Sequence, residues 1–278
     1  MNPKTLGYII KRILLAILTV WIVLTITFFV MHFVPGGPFA SEKAVTPAVQ
    51  AALEAKYGLD KPLMEQYWSY LSDIVTKFDF GPSLKSRGRM VIDIITDGLK
   101  TSAKLGVIAA LWATIVGVVL GAIAALKRGS VADSIIMVIS TAFVSMPSFI
   151  MGSLLLLVFA VALHIFPANG ETAKGLVLPI ITLGLSPMAH IIRLTRSSML
   201  DVLGQDYIRT ARAKGVAPAK IIFGHALKNA LIPVITYIGP MLAYIVTGSL
   251  VVEQIFAVPG IGRAFVKSII NRDYPRLC

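Results

Sequence analysis

Long, continuous apolar runs dominate the distribution of side chains along the chain. An α-helix rises about 1.5 Å per residue, so about 20 apolar residues cross the roughly 30 Å hydrocarbon layer of a bilayer. Unbroken runs favour helices over membrane strands, in which apolar and polar residues alternate. Five runs meet or nearly meet this length, at about 13–34, 105–126, 135–163, 176–199 and 230–252. The pattern therefore predicts an all-α, polytopic helical bundle that forms one transmembrane domain over residues 1–278.

Proline residues interrupt each of the last three predicted spans. Proline lacks an N–H and clashes with the preceding turn, so we expect a break or a bend at each of them. The positions are Pro147, Pro179, Pro187, Pro233 and Pro240. Two interpretations stay open: kinked packing, or freed carbonyls along a polar pathway. The candidate pathway residues are Pro147, Gly239 and Pro240.

The loop between the first two spans, residues 35–104, is predicted to be partly helical. Thr46-Pro47 favours a helix start and Gly58 a stop. A second helix is expected after Pro62, and the residues Asp79-Phe-Gly-Pro-Ser83 favour a turn.

Composition supports a membrane protein, because 56% of residues are apolar, 14% are charged and the mean hydropathy is +0.80. Soluble domains carry about 45–50% apolar and about 25% charged residues. These values exclude a disordered chain and argue against a water-soluble enzyme. The net charge is +12, but the sequence has no basic stretch interleaved with aromatic residues that could stack on bases. No nucleic-acid partner is therefore expected. Cys278 is the single cysteine, which excludes an internal disulfide and a cysteine metal cluster.

Charge in the loops predicts the orientation of the spans. The loops on the side of the N-terminus hold twelve basic residues and three acidic ones. Basic residues collect on the cytoplasmic side of short loops, so the N-terminus is expected in the cytoplasm. Five crossings would then place Cys278 outside.

Motifs for enzyme chemistry are missing from the sequence. No stretch fits the phosphate-binding G-x-x-x-x-G-K-[ST] loop or the zinc-binding H-E-x-x-H helix. The predicted spans also contain very few ionisable residues, whereas ion-coupled carriers usually place such residues in the membrane interior. If the chain transports a substrate, the energy is expected to come from another chain.

The most informative segment is the loop between the fourth and fifth spans, residues 200–229. Its residues from Asp206 to Lys214 suit a helix whose charges match the helix dipole. Gly215 supplies a left-handed position that ends it, and Pro218 suits the first turn of a second helix. A helix–turn–helix of this shape suits docking in the groove of a partner protein better than lying flat on anionic lipid.

Several motifs in order resemble the permease subunits of ABC importers, in the branch for peptides and nickel. Tyr207-Ile-Arg-Thr-Ala-Arg-Ala-Lys-Gly215 and His225-Ala-Leu-Lys-Asn-Ala-Leu-Ile-Pro233 are similar to the ATPase-coupling signature of that family. Lys11-Arg12, residues 35–38 and 79–83, Pro259-Gly-Ile-Gly262 and Asn271-Arg-Asp-Tyr274 are similar to the B-type oligopeptide permease subunits. One departure is general to the peptide branch: Thr210-Ala211-Arg212 replaces the Glu-Ala-Ala of the wider family.

The resemblance implies the pathway subunit of a binding-protein-dependent importer for oligopeptides in the inner membrane of a bacterial-type cell. The expected partners are a homologous second permease, two cytoplasmic ATP-binding subunits, an extracytoplasmic substrate-binding protein, the peptide and the bilayer. The chain itself would not be an enzyme and would hold no cofactor, since ATP and Mg²⁺ bind the ATPase subunits.

The resemblance also implies two sets of site residues. The set in the coupling loop (residues 200–229) is Asp206, Tyr207, Arg209, Ala211, Arg212, Lys214 and Gly215. The set in the outer C-terminal segment (residues 253–278), expected to gate the outer mouth or to contact the binding protein, is Glu253, Pro259, Gly260, Gly262, Arg263 and Asp273. Pro259-Gly260 followed by Gly262 is predicted to form a turn, and a short helix is predicted after it at 263–270.

Family members have a sixth span after the Arg-Asp-Tyr stretch, whereas this sequence is predicted to cross five times. The main alternatives are a self-contained secondary carrier, a structural membrane scaffold, or an importer permease for dipeptides, nickel or glutathione.

Overall fold

The computed structural model describes residues 3–33, 55, 58–84, 86, 88–271 and 273. The helices are α1 (Pro3–Phe33), α2 (Leu63–Lys77), α3 (Val91–Leu126), α4 (Val131–Ser145), α5 (Ser148–Leu155), α6 (Val177–Leu203), α7 (Asp206–Ala213), α8 (Pro218–Lys220), α9 (Leu227–Val246), α10 (Leu250–Ile255) and α11 (Ile261–Asn271). Two π-helical stretches continue them, Leu156–Ala162 after α5 and Ile221–Ala226 between α8 and α9. The predicted all-α class is confirmed.

Some sequence predictions lie outside the described residues. They are the motif at residues 35–38, the helix start at Thr46-Pro47, the Arg272 and Tyr274 positions of the last motif, and the location of Cys278.

The described helices include four that are long and apolar enough to cross a membrane: Lys4–Phe33, Val91–Leu126, Val177–Leu203 and Pro218–Ile255. A fifth span results if the bent pair Val131–Ser145 and Ser148–Ala162 counts as one crossing. The number agrees with the sequence prediction when the pair is counted in this way.

The predicted bend at Pro147 is confirmed, because the two helices that flank it differ in direction by 107°. Met146 is extended, with ψ of 125°, as expected for a residue whose α conformation is blocked by a following proline. Of the break or bend predicted at the prolines farther along the chain, the break is contradicted at Pro187, Pro233 and Pro240. α6 continues through Pro187, and α9 continues through Pro233 and Pro240.

Pro179 lies in the first turn of α6, where the backbone N–H has no partner within the helix, so it interrupts nothing.

Several boundaries differ from the predicted ones because helices extend beyond the apolar runs. α3 begins at Val91, so the end of the predicted loop 35–104 is helical. Asp93 in its first turn suits the positive end of the helix dipole. The predicted fifth span to residue 252 is interrupted after α9, where Gly248 has φ of +94° and Ser249 caps α10 by accepting from the Val252 N–H. The predicted helix at 263–270 is confirmed as α11.

Packing divides the chain into two units, of which the first comprises residues 1–96 and 265–278. Its core joins α1 to α2, where Leu24 and Phe28 are buried against Tyr67. The Tyr67 hydroxyl also lies 2.8 Å from the Thr25 hydroxyl. The helix predicted after Pro62 is confirmed, because α2 begins at Leu63.

The second unit, residues 97–264, brings α3 and α6 into close contact through glycine. A Cβ added at Gly117 would lie 2.7 Å from the Ile191 side chain, and one at Gly121 would lie 2.6 Å from the Ile192 carbonyl oxygen. The G-x-x-x-G spacing of these residues therefore serves backbone approach between helices.

Candidate functional site

The coupling loop folds as the sequence predicts: a helix, a turn and a second helix. α7 spans Asp206–Ala213, and Gly215 has φ of +74°, the left-handed conformation expected of it. The Val216 N–H donates to the Ala211 carbonyl at 3.1 Å and closes the turn. Pro218 then starts α8. The direction of the chain between the two helices is thus set at Gly215.

Ile208 anchors α7 to the ends of the long helices and is fully buried. It belongs to a cluster contributed by α3, α6, the π-helical stretch and α9, whose members are Ala125, Met199, Ile221, Ala226 and Ala230. Asn229 of α9 adds a hydrogen bond of 2.9 Å to the Tyr207 hydroxyl. A displacement of α7 must therefore move the ends of several spans together.

Sequence reasoning missed Ile208, although a signal exists. It is the only large aliphatic residue among residues 206–213 of an otherwise small or polar helix.

The opposite face of α7 is exposed and basic. Asp206, Arg209, Arg212, Ala213 and Lys214 are all exposed. The Arg209–Asp206 ion pair is long, at 3.4 Å, and both side chains are open to solvent, so it holds the guanidinium only weakly.

Ala211 is half-buried and packs against the cluster around Ile208. Among the predicted docking residues it therefore faces the chain's own core, and Ala213 offers the small exposed position instead.

A second site is built around the carboxylate of Glu253 in α10, which is fully buried. Its Oε1 accepts a hydrogen bond of 2.6 Å from the Ser102 hydroxyl, and its Oε2 accepts from the Arg263 N–H at 3.1 Å. The Ser102 oxygen in turn accepts from the Ile261 N–H at 2.9 Å. One carboxylate thus joins α3 and α10 to the start of α11.

Three glycines make room for this carboxylate. A Cβ at Gly260 would overlap it, and a Cβ at Gly248 or Gly262 would lie 3.0 Å from one of its oxygens. The Gly260 and Gly262 positions, predicted as turn residues, are therefore required by close approach to Glu253, which the sequence alone did not reveal. The sequence also gave no indication of Ser102.

The remaining residues predicted for the outer segment are placed differently. The Arg263 Nη1 donates to the Ala257 carbonyl at 2.6 Å, so the guanidinium is bonded within the chain. Pro259 is exposed. Asp273 lies in the other unit, where it accepts from the Ser83 hydroxyl at 2.5 Å and the Leu84 N–H at 2.8 Å.

A cavity of about 790 Å³ lies in the unit of residues 97–264, between the bend at Pro147, α6, α9 and the start of α10. Pro147 and Pro240, two of the predicted pathway residues, line it. Gly239 is not among its lining residues, and a Cβ there would meet nothing within 4 Å. Pro187, another of the prolines within the predicted spans, lines the same cavity.

An ion pair that the sequence did not indicate fastens α4 to α6. The Arg196 guanidinium donates to both oxygens of Asp133, at 2.7 and 2.8 Å. The Gly129 N–H donates to the same carboxylate at 3.0 Å, and the Ser130 hydroxyl caps α4. The two side chains are 63 positions apart in sequence, which explains why pattern analysis could not pair them.

Replacing Arg196 by methionine is expected to lower the Tm of the purified protein in detergent, because Asp133 would keep its burial and lose its counter-charge. Arg193→Met, a substitution of the same kind on the same helix, is the control. Equal Tm values for both variants would show that the ion pair contributes no stability.

Comparisons with known proteins agree with this architecture. Residues 117–278 match the family described as "Binding-protein-dependent transport system inner membrane component", and residues 5–105 match the N-terminal part of such membrane components. The dipeptide transport system permease protein DppB of Bacillus subtilis is 50% identical over 96% of this chain and 87% of its own length. The oligopeptide transport system permease protein OppB of Salmonella typhimurium is 47% identical over 97% and 89%.

A solved structure of the MetNI methionine ABC transporter, in an inward-facing conformation, has a similar fold. The TM-score is 0.52 at 18% identity, over 64% of this chain and 81% of that one.

Proposed function

Since the chain belongs to the family of inner membrane components of binding-protein-dependent transport systems, we propose that it forms part of the transmembrane pathway of an ATP-driven peptide importer. The observation that carries the proposal is the anchoring of α7. Its buried Ile208 joins it to the ends of α3, α6 and α9, while its other face is exposed and basic. A partner that pushes or pulls on that face would move the helices that surround the cavity.

The exposed face of α7 and the family support the following partners. A second, homologous permease would complete the pathway, two ATP-binding subunits would dock on the coupling loops, and a substrate-binding protein would deliver the peptide outside. ATP and Mg²⁺ would be held by the ATP-binding subunits. The surface proposed for the ATPase contact comprises Asp206, Tyr207, Arg209, Arg212 and Lys214, with Gly215 setting its orientation.

We place the chain in the inner membrane with its N-terminus in the cytoplasm, on the basis of the basic residues in its short loops. This orientation puts α7 on the cytoplasmic side and the turn between α10 and α11 on the outer side.

Single cysteines in a Cys278→Ser background test the orientation. Lys174 and Ala213 are both exposed. Lys174→Cys is expected to react with an impermeant maleimide added outside intact cells whose outer membrane, where present, is permeabilised. Ala213→Cys should react only after the inner membrane is disrupted. The reverse pattern would contradict the proposed orientation.

We further propose that the Glu253 site gates the outer mouth. Its carboxylate fixes the turn between α10 and α11 to α3, so release of the Ser102 and Arg263 hydrogen bonds would free that turn to move. Contact with the binding protein is assigned to the exposed Pro259 and not to Arg263, whose head is bonded to the Ala257 carbonyl.

The substrate class we propose is peptides, with oligopeptides as the sequence-based choice and dipeptides as its nearest alternative. Relatives with both substrate names cover nearly the whole chain. Competition for uptake between a dipeptide and a pentapeptide of alanine distinguishes an oligopeptide importer from a dipeptide importer.

Assembly and ATP hydrolysis test the proposed function. The complex of this chain with its partner permease and ATP-binding subunits is expected to hydrolyse ATP faster when peptide-loaded binding protein is added. A structural scaffold would co-purify with partners but show no response to loaded binding protein, and that result would contradict the proposal.

A further inference from the structure

The wall of the 790 Å³ cavity is neutral: none of its lining residues is Asp, Glu, Lys or Arg. Its polar side chains are hydroxyl, phenol and imidazole groups, and the rest are apolar. Charged groups enter such surroundings at high cost unless a counter-charge meets them, whereas neutral polar groups need only a hydrogen bond. The lining therefore suits a neutral polar ligand with apolar substituents.

Two polar atoms in this wall are open for a ligand. The His190 Nδ1 lies 3.0 Å from the Ser186 carbonyl oxygen, which can only accept, so Nδ1 carries a proton, and in the neutral imidazole Nε2 keeps a lone pair. The Tyr237 ring stacks on the His190 ring with centroids 6.1 Å apart. Within the described residues, neither Nε2 of His190 nor the Tyr237 hydroxyl has a hydrogen-bond partner.

On the basis of the proposed peptide import, we propose that His190 and Tyr237 bind the main chain of the passing peptide. Nε2 of His190 accepts from a peptide N–H, and the Tyr237 hydroxyl donates to a peptide carbonyl. An acceptor beside a donor matches the two polar groups that every peptide unit carries. Met146 and Met241 line the same cavity, and flexible thioether side chains adapt to substituents of different shape.

The two hydrogen bonds would be the same for every peptide, because they involve only its main chain. A bare divalent cation is a poor ligand for the same wall, because it exchanges its hydration shell for carboxylate and carbonyl oxygens.

The test is peptide uptake by the complete transporter in proteoliposomes, with its binding protein, using three labelled tripeptides with lysine, aspartate or phenylalanine at the centre. The variants are His190→Phe and Tyr237→Phe, with Tyr8→Phe on α1 as the matched control. His190→Gln is the rescue variant, because its amide oxygen restores an acceptor. Initial rates are divided by the basal ATPase rate, so that incomplete assembly does not count as lost transport.

We expect His190→Phe and Tyr237→Phe each to reduce uptake of all three peptides by the same factor of about five to ten, the loss of one hydrogen bond. His190→Gln should restore part of the rate, and Tyr8→Phe should match the wild type. Uptake that falls for one tripeptide only, that stays at the wild-type rate, or that glutamine does not restore would overturn the proposal.

If His190→Phe fails to assemble, Tyr237→Phe decides, since it removes a single oxygen atom. A wild-type complex that takes up none of the three peptides would overturn the proposed function itself, which distinguishes that failure from a failure of the two residues.

Discussion

Replacing Gly215 by valine is expected to reduce peptide transport and peptide-stimulated ATP hydrolysis by about tenfold while the chain still inserts in the membrane. Gly215 has φ of +74°, and a left-handed backbone costs a residue with a Cβ about 1–2 kcal/mol. No atom lies within 4 Å of a Cβ added there, so the effect comes from the backbone and not from a clash. The turn that sets the angle of α7 would relax, and α7 would no longer meet the ATPase correctly.

Two further variants isolate this effect. Gly215→Asn should retain much of the activity, because asparagine tolerates the left-handed conformation. Gly204→Ala is the control, since Gly204 has a right-handed backbone and a Cβ there meets its nearest neighbour at 3.5 Å. Normal ATPase stimulation in Gly215→Val would remove this turn from the coupling mechanism.

Replacing Glu253 by alanine should abolish the tight link between ATP hydrolysis and transport. The change leaves the Arg263 N–H and the Ser102 hydroxyl without their acceptor. Each buried group left unsatisfied in this way destabilises the folded chain by about 1–3 kcal/mol. It also opens a void beside Gly260. With the turn between α10 and α11 released, we expect ATP hydrolysis that no longer depends on loaded binding protein, together with loss of peptide accumulation.

The neighbouring Gln254 provides the control, because it lies on the same helix and is exposed. Gln254→Ala should behave as the wild type. Gly260→Ala should reproduce the Glu253→Ala phenotype, since its Cβ would displace the carboxylate without removing it. Wild-type coupling in both Glu253→Ala and Gly260→Ala would contradict a gating role for this site.

Local features of the fold were predictable from the sequence because their causes are local. The bend at Pro147 follows from the missing N–H and from the restriction on Met146. The turn at Gly215 follows from a helix that ends in a residue able to be left-handed.

Prolines inside α6 and α9 show the limit of that reasoning. The sequence predicts a break or a bend at Pro187 and Pro240, and both helices continue without a break. Because the bilayer offers no water to replace a lost helical hydrogen bond, a membrane helix interrupted at proline is stabilised by its neighbours, and these contacts cannot be seen along one helix.

The candidate sites depended on contacts between distant parts of the chain, which sequence patterns do not encode. Glu253 was a candidate, but its partner Ser102 lies 151 positions away. In the sequence, Ile208 is one apolar residue in a polar helix. Its role depends on the ends of three long helices that surround it in the structure. The pairing of His190 with Tyr237 likewise required α6 and α9 to be packed together.

Accumulation of a labelled peptide inside proteoliposomes distinguishes a subunit of an ATP-driven importer from a self-contained carrier. The vesicles contain this chain alone or the complete complex, oriented so that the binding protein acts outside and ATP is enclosed. We expect the complete complex to raise the internal peptide concentration above the external one only with hydrolysable ATP. We expect the chain alone to accumulate no peptide under an imposed proton or sodium gradient. Accumulation by the chain alone, driven by an ion gradient, would overturn the proposed function and identify a self-contained carrier.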